Sequence, residues 1–181
     1  MEGYIMKIHI TSGTPEFMET IRKKHDKQTI FIMHGEGNTL LVHETEKKSV
    51  FATPRSFDVV EGANDIEQRG FFAMLNFPIT DDADALLEQR LRNEGHMISS
   101  TAGLIAYRLL RPIKNDTYII LTQWAGPASF ELWQESNSYK TLFGNAPTSS
   151  TQNLFVSKPY ITKYVAKPIG EWIYERLWTR C

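Results

Sequence analysis

The chain has 181 residues, of which 41% are hydrophobic and 23% charged, with a formal net charge of −1. This composition is typical of a globular protein with one large or two small domains, and the charge argues against nucleic-acid binding. Cys181 is the only cysteine, which excludes intrachain disulfides and favours a cytoplasmic protein, and no apolar run reaches the roughly 18 residues needed to cross a membrane.

Residues 1–66 predict a small α/β unit. Alternating residues at 4–11 predict a strand, and Thr14 followed by Pro15 is typical of the start of a helix. Two β-rich runs on either side of the turn at 35–38 predict a hairpin. A short helix is then predicted at residues 56–60.

Residues 67–168 predict a second unit. A nearly continuous apolar run at 71–80 predicts a strand. Residues 82–95 predict a helix whose inward-facing residues are Ala83, Leu86, Leu87 and Leu91. Gly95 is expected to end this helix.

Further elements complete this unit. Strands are predicted at 103–110 and 117–124, a helix from Pro127 to about Phe143, and a β-rich run at 154–166. The order β-α-β-β-α-β is that of an α+β, ferredoxin-like (split βαβ) domain. One face of such a sheet needs a cover, which either a second copy in a homodimer or the N-terminal unit of a monomer could provide. Residues 169–181 are an aromatic tail.

Two residues are candidates for a site. Asn76 interrupts an apolar strand, where a buried amide needs hydrogen-bond partners. Trp133 lies three residues after Phe130, so both share a helix face, where a large rigid ring suits a planar ligand. The five histidines are scattered without zinc spacing and do not pair with a nucleophile, so we expect no metal site.

These segments together resemble a known family. Asn76 in its strand, the runs GLIAYRLLRP and TYIILTQW and the helix PASFELWQESNSYK are similar to the antibiotic biosynthesis monooxygenase (ABM) superfamily. The most similar branch contains the Isd-type haem-degrading monooxygenases, especially the two-part HmoB-like proteins, and the related signal transduction protein TRAP.

The resemblance implies a site and a cofactor. Asn76 and Trp133 match the asparagine and tryptophan that contact haem in Isd-type enzymes and take part in its oxidation. Haem is both substrate and cofactor there, and an external electron donor supplies reducing equivalents. The family's iron-binding histidine falls at Phe143, which cannot bind iron, although its ring still offers an apolar wall. Tyr139 is the nearby candidate for a phenolate ligand.

Three functions follow as hypotheses. The first is a haem-degrading monooxygenase, or a diverged haem-binding member that lacks the axial histidine. The second is a non-catalytic signalling or stress protein like TRAP. The third is a cofactor-free oxygenase of a planar phenolic substrate.

Overall fold

The computed structural model describes residues 5–79, 84–144 and 158–169, so all of the predicted aromatic tail beyond Ile169 lies outside the described residues. Its elements are β1 (Lys7–Gly13), α1 (Pro15–Lys24), β2 (Ile30–Gly35), β3 (Thr39–Thr45), β4 (Arg55–Ala63), β5 (Gly70–Pro78), α2 (Asp84–Ser99), β6 (Leu104–Ile113), β7 (Thr117–Trp124), α3 (Pro127–Gln134), α4 (Asn137–Tyr139), a π-helical turn (Lys140–Gly144) and β8 (Tyr160–Ala166).

The start of α1 confirms the helix predicted there. The Thr14 hydroxyl accepts a hydrogen bond of 3.3 Å from the backbone N–H of Phe17, and Pro15 occupies the first turn. Thr14 therefore satisfies one of the backbone donors that a helix start leaves free. The buried Met18 anchors the inner face of the helix.

The helix predicted at residues 56–60 is wrong, because this segment belongs to strand β4. Phe57 is fully buried and lies opposite Ile8 of β1 and Pro112 of β6. A short segment with few local contacts takes its conformation from such distant strand partners, which a local pattern does not reveal.

The predicted end of α2 and the predicted burial of Leu86 are also wrong. Helix α2 continues past Gly95 to Ser99. Gly95 lies in close packing within the helix, where an added Cβ would be 3.3 Å from the Tyr107 hydroxyl. Leu87 and Leu91 are buried as predicted, but Leu86 is 61% exposed.

The helix predicted from Pro127 to about Phe143 is interrupted after α3. Ser136 has an extended backbone and caps α4, where its hydroxyl accepts from the Tyr139 N–H at 3.2 Å. The same hydroxyl donates to the Trp133 carbonyl at 2.6 Å. One serine thus closes α3 and opens α4, so Tyr139 and Phe143 are set by the capped turn rather than by a continuous helix.

The eight strands form a closed antiparallel barrel in the order β1-β3-β2-β8-β5-β7-β6-β4. Strands β1 to β4 form one arc, ordered β4-β1-β3-β2, and strands β5 to β8 form a second, ordered β8-β5-β7-β6. Both arcs therefore repeat the same ferredoxin-like strand order, and the molecule is α+β. The arcs join where β4 pairs with β6 and where β2 pairs with β8.

The N-terminal arc covers the open face of the C-terminal arc, one of the two arrangements considered from the sequence. The apolar barrel interior is formed by Ile8, Ile10, Met33, Leu40, Val42, Phe57, Phe72, Met74, Ala106, Leu110, Ile119, Leu121 and Tyr164. The predicted boundary at residues 66–67 falls between the two arcs, and their status as separate domains stays a prediction. No helix within the described part of the chain is both long and apolar enough to span a membrane.

Candidate functional site

An aromatic cluster fills the space between the outer face of the C-terminal arc and the helices α3 and α4. We use this name for Phe71, Phe77, Trp124, Phe130, Trp133, Tyr139 and Phe143, all of which belong to one hydrophobic core. The rings from β5 and β7 meet those from the helices, as their spacing on a strand and on a helix face requires.

Trp133 lies at the centre of the cluster and is only 2% exposed. Its ring centroid is 5.4 Å from that of Trp124, 6.0 Å from that of Phe130 and 5.1 Å from that of Tyr139. Such distances are typical of favourable aromatic pairs. Trp133 is thus packed on three sides by other rings.

The two indoles of the cluster differ in their hydrogen bonding. The Trp124 N–H donates to the Thr122 hydroxyl at 2.8 Å, and that hydroxyl donates to the Ala73 carbonyl at 2.7 Å. The Trp133 N–H is buried and has no hydrogen-bond partner. Because a buried unpaired donor costs about 1–3 kcal/mol, this N–H is the most unusual polar atom of the cluster.

Phe143, where the resemblance implies an axial histidine, is held between two other rings. It stacks on Tyr139 with centroids 5.6 Å apart and meets Phe77 edge-on at 5.7 Å. The Tyr139 hydroxyl accepts a hydrogen bond from the Gln134 amide at 3.3 Å. The structure therefore brings together Trp133, Tyr139 and Phe143, the three residues of this region that the resemblance implies for one site.

Asn76 lies on the opposite face of β5 from this cluster. Phe71, Ala73, Leu75 and Phe77 face the helices, whereas Asn76 follows the alternation of Phe72 and Met74 into the barrel interior. It is 3% exposed.

Hydrogen bonds hold the Asn76 amide in place on that side. Its nitrogen donates to the Met74 carbonyl at 3.1 Å, the Tyr160 carbonyl at 3.2 Å and the Thr162 hydroxyl at 3.3 Å. The structure does not bring Asn76 to Trp133, so their shared role in one site stays a prediction. Both faces of β5 are buried, and the sequence therefore showed no alternation that could assign Asn76 to a face.

Two further unpartnered polar atoms lie on the helices around the cluster, and sequence analysis missed both. Ser138 on α4 has a buried hydroxyl, and Glu94 on α2 has a buried carboxylate oxygen, each without a hydrogen bond. The two helices are in contact, and the Arg90 guanidinium of α2 donates to the Thr141 carbonyl of the π-helical turn after α4 at 3.0 Å.

Haem, the group implied by the resemblance, does not fit the residues of the aromatic cluster. Phe143 has no lone pair to bind iron, and the Tyr139 ring is packed against Trp133 with its hydroxyl already hydrogen-bonded. His96 of α2 has an imidazole, but its Nδ1 lies 3.3 Å from the Glu61 carboxylate of β4. Among the described residues, no group of three or more His, Cys, Asp or Glu is placed to hold a metal ion.

A polar network beside α2 is the other notable feature of this face. Glu88 accepts from Arg111 at 2.6 and 2.8 Å and from the Tyr118 hydroxyl at 2.8 Å. The hydrogen bond from Arg111 is the main reason that the pKa of Glu88 falls from 4.5 to about 2. A cavity of ≈ 500 Å³ borders the network. Because the charges satisfy each other, the network ties α2 to the sheet and does not by itself indicate a ligand.

Comparison with known proteins adds a family to this geometry. Residues 70–144 match the family described as antibiotic biosynthesis monooxygenase. The signal transduction protein TRAP of Staphylococcus epidermidis is 25% identical over 138 residues, which cover 76% of this chain and 83% of that protein.

Solved structures show the same fold. A major regulator of staphylococcal pathogenesis superposes with a TM-score of 0.81 and 22% identity, covering 90% of this chain and all of the other. The heme-degrading enzyme LmHde of Listeria monocytogenes gives a TM-score of 0.68 and 16% identity, covering 89% of this chain and 99% of the other.

Proposed function

We propose that the chain, whose residues 70–144 match the antibiotic biosynthesis monooxygenase family, is a non-catalytic signalling protein of the TRAP type. In this proposal the aromatic cluster is a closed core that neither binds nor degrades haem. The sequence similarity to TRAP, a signal transduction protein, supports the signalling role. Haem degradation, which the likeness to Isd-type enzymes implies, is the alternative.

One observation carries the proposal: the Phe143 ring, at the position where the family resemblance implies an axial histidine, packs between Phe77 and Tyr139. A haem in this space would have to displace those rings, and the iron would gain no protein ligand from Phe143. The displaced aromatic contacts would cost free energy that an Fe–imidazole bond no longer offsets. The position of Asn76 on the other face of β5 removes the second expected contact.

A second candidate function is favoured by the unpartnered N–H of Trp133. A planar phenolic molecule could accept a hydrogen bond from this donor while it stacks on the surrounding rings. Such a ligand needs neither an iron ligand nor an electron donor, as expected for a cofactor-free oxygenase. Tyr139 and Phe143 would have to move to admit it.

A haemin titration tests the proposal. We expect no shift of the Soret band when the wild-type protein receives stoichiometric haemin at micromolar concentration, and no ascorbate-dependent decay of haemin absorbance. A shifted band that decays with release of iron would overturn the proposal in favour of haem degradation.

The variant Phe143→His shows what the missing imidazole contributes. If the cluster is a closed core, this variant also leaves the Soret band unchanged. A new band would mean that the space still admits haem and that only the ligand was lost. Leu132→His is the matched control, because Leu132 is 66% exposed on α3 and an imidazole there reports nonspecific coordination by the surface.

A further inference from the structure

We propose that His9 and His43 form an acid-sensitive latch that holds residues 46–54 on the outer face of the N-terminal arc. At neutral pH the latch is closed around two uncharged imidazoles. Protonation of His43 releases the segment. The inference concerns the N-terminal arc and is independent of the function proposed for the aromatic cluster.

The two histidines are buried as a cross-strand pair. His9 on β1 lies directly opposite His43 on β3, and their ring centroids are 6.0 Å apart. Both point outward, since Ile8 and Val42 beside them face the barrel interior. His9 is 5% and His43 1% exposed, so neither ring has free access to water.

The hydrogen bonds of the pair suit neutral rings. His43 Nε2 lies 3.2 Å from the Gln28 amide oxygen, which can only accept, so Nε2 carries the proton and Nδ1 a lone pair. This Nδ1 is buried without a partner. His9 Nδ1 lies 2.7 Å from the Ser56 hydroxyl, which can donate or accept.

Protonation of His43 is not compatible with these hydrogen bonds. A second N–H on His43 would find no acceptor in its buried position, which is unfavourable. Burial is the main cause that lowers the pKa of both histidines, and positive charge adds to it: Lys7 acts on His9, while His9 and His25 act on His43. The carbonyl of Lys47 opposes the shift at His9 but does not reverse it.

The side chains of Val50 and Phe51 pack the segment above the pair onto the sheet. Residues 46–54 join β3 to β4 and contain neither helix nor strand. The Phe51 ring meets His43 edge-on at 5.7 Å and packs with Met18 and Leu41. The equivalent connection in the C-terminal arc, between β7 and β8, contains α3 and α4.

Hydration of a charged His43 therefore requires that Phe51 move away. Because the folded-state pKa is below the ordinary 6.5, the latch is closed above pH 6.5 and opens as the pH falls below it. The strands beneath stay paired, since their hydrogen bonds do not involve the imidazoles.

Hydrogen exchange and NMR test the latch on the full chain. Between pH 7 and pH 5 we expect the protection factors of residues 46–54 to fall about tenfold, while those of β5 and β7 change less than about twofold. NMR titration should place both imidazoles below 6.5. Titration at or above 6.5, or a uniform loss of protection over both arcs, would contradict the proposal.

Variants locate the response. The double variant His9→Gln/His43→Gln cannot be protonated there and should keep its protection factors constant over this pH range. His34→Gln and His96→Gln are the controls, and both should respond as the wild type does. An unchanged acid response in the double variant would overturn the latch. If that variant does not fold, the wild-type titration decides the question.

Discussion

At the scale of the residue, the centre of the aromatic cluster combines good packing with one unpaired polar atom. Trp133 contacts rings from β7, α3 and α4, but its N–H finds no acceptor. The packing favours a structural role for Trp133, whereas its unpaired N–H favours a ligand that binds there transiently. These two roles can be distinguished by the change in stability when the Trp133 ring is removed.

Replacing Trp133 by Ala should lower the free energy of unfolding by about 3–5 kcal/mol, the usual cost of deleting a buried aromatic ring. Urea unfolding followed by circular dichroism measures this change. Trp124→Ala should cost a similar amount, because both indoles are buried in the same cluster. Leu132→Ala on the same helix should change stability by less than about 0.5 kcal/mol, since Leu132 is exposed. A near-neutral Trp133→Ala would show that the ring serves a ligand rather than the core.

At the scale of the element, α2 is fixed to the sheet by apolar contacts and by a charged hydrogen-bond network. Leu87 and Leu91 are buried against the outer face of the C-terminal arc, and Glu88 binds Arg111 of β6 and Tyr118 of β7. The side chain of Glu88 is mostly buried, so its hydrogen bonds to charged donors are stronger than those of surface pairs.

Glu88→Gln should lower the free energy of unfolding at pH 7 by about 2 kcal/mol, the typical worth of a hydrogen bond to a charged group. The pKa of Glu88 is lowered to about 2 in the folded chain, so its contribution is complete above pH 4.5 and is lost as the pH falls toward 2. Unfolding curves from pH 7 to pH 2 should therefore converge for the variant and the wild type.

Glu67→Gln is the control for this experiment. Its partner Arg69 and Glu67 itself are about half exposed, and such a pair contributes at most about 1 kcal/mol. A constant difference between Glu88→Gln and the wild type down to pH 2 would mean that the carboxylate charge does not stabilise α2.

At the scale of the whole molecule, two arcs of equal topology close one barrel, and an ion pair links them. Arg108 of β6 donates to Glu44 of β3 at 2.7 Å, and both stand at interior-facing positions. The Arg108 side chain passes over Gly62 of β4, where an added Cβ would lie 2.8 Å from it. Arg108 also donates to the carbonyls of Ala63 and Asn64.

Arg108→Met should destabilise the protein by about 3–5 kcal/mol, because it leaves Glu44 as an unpaired charge in a mostly buried position. The double variant Arg108→Met/Glu44→Met should recover most of this loss, since both charges are then absent. Urea unfolding of both single variants and the double variant gives the coupling energy. Additive losses would show that the pair does not link the arcs energetically.

The sequence by itself determined the elements whose signals are local. The Thr14–Pro15 helix start, the hairpin around residues 35–38 and the order of elements in the C-terminal arc depend on neighbours a few residues apart, and the structure confirms them. The family resemblance places the expected iron-binding histidine at Phe143, and this assignment stays a prediction.

Only the tertiary structure decided the features that depend on distant partners. β4 is a strand because β1 and β6 pair with it, and the N-terminal arc closes the barrel through such pairings. The sequence pattern did not show which face of β5 carries Asn76, because both faces of this strand are buried. His9 and His43 become neighbours only because β1 pairs with β3. Local propensity depends on residues that are close in the sequence, whereas strand pairing and burial join residues that are far apart in the chain. At these positions the distant contacts outweigh the local preference.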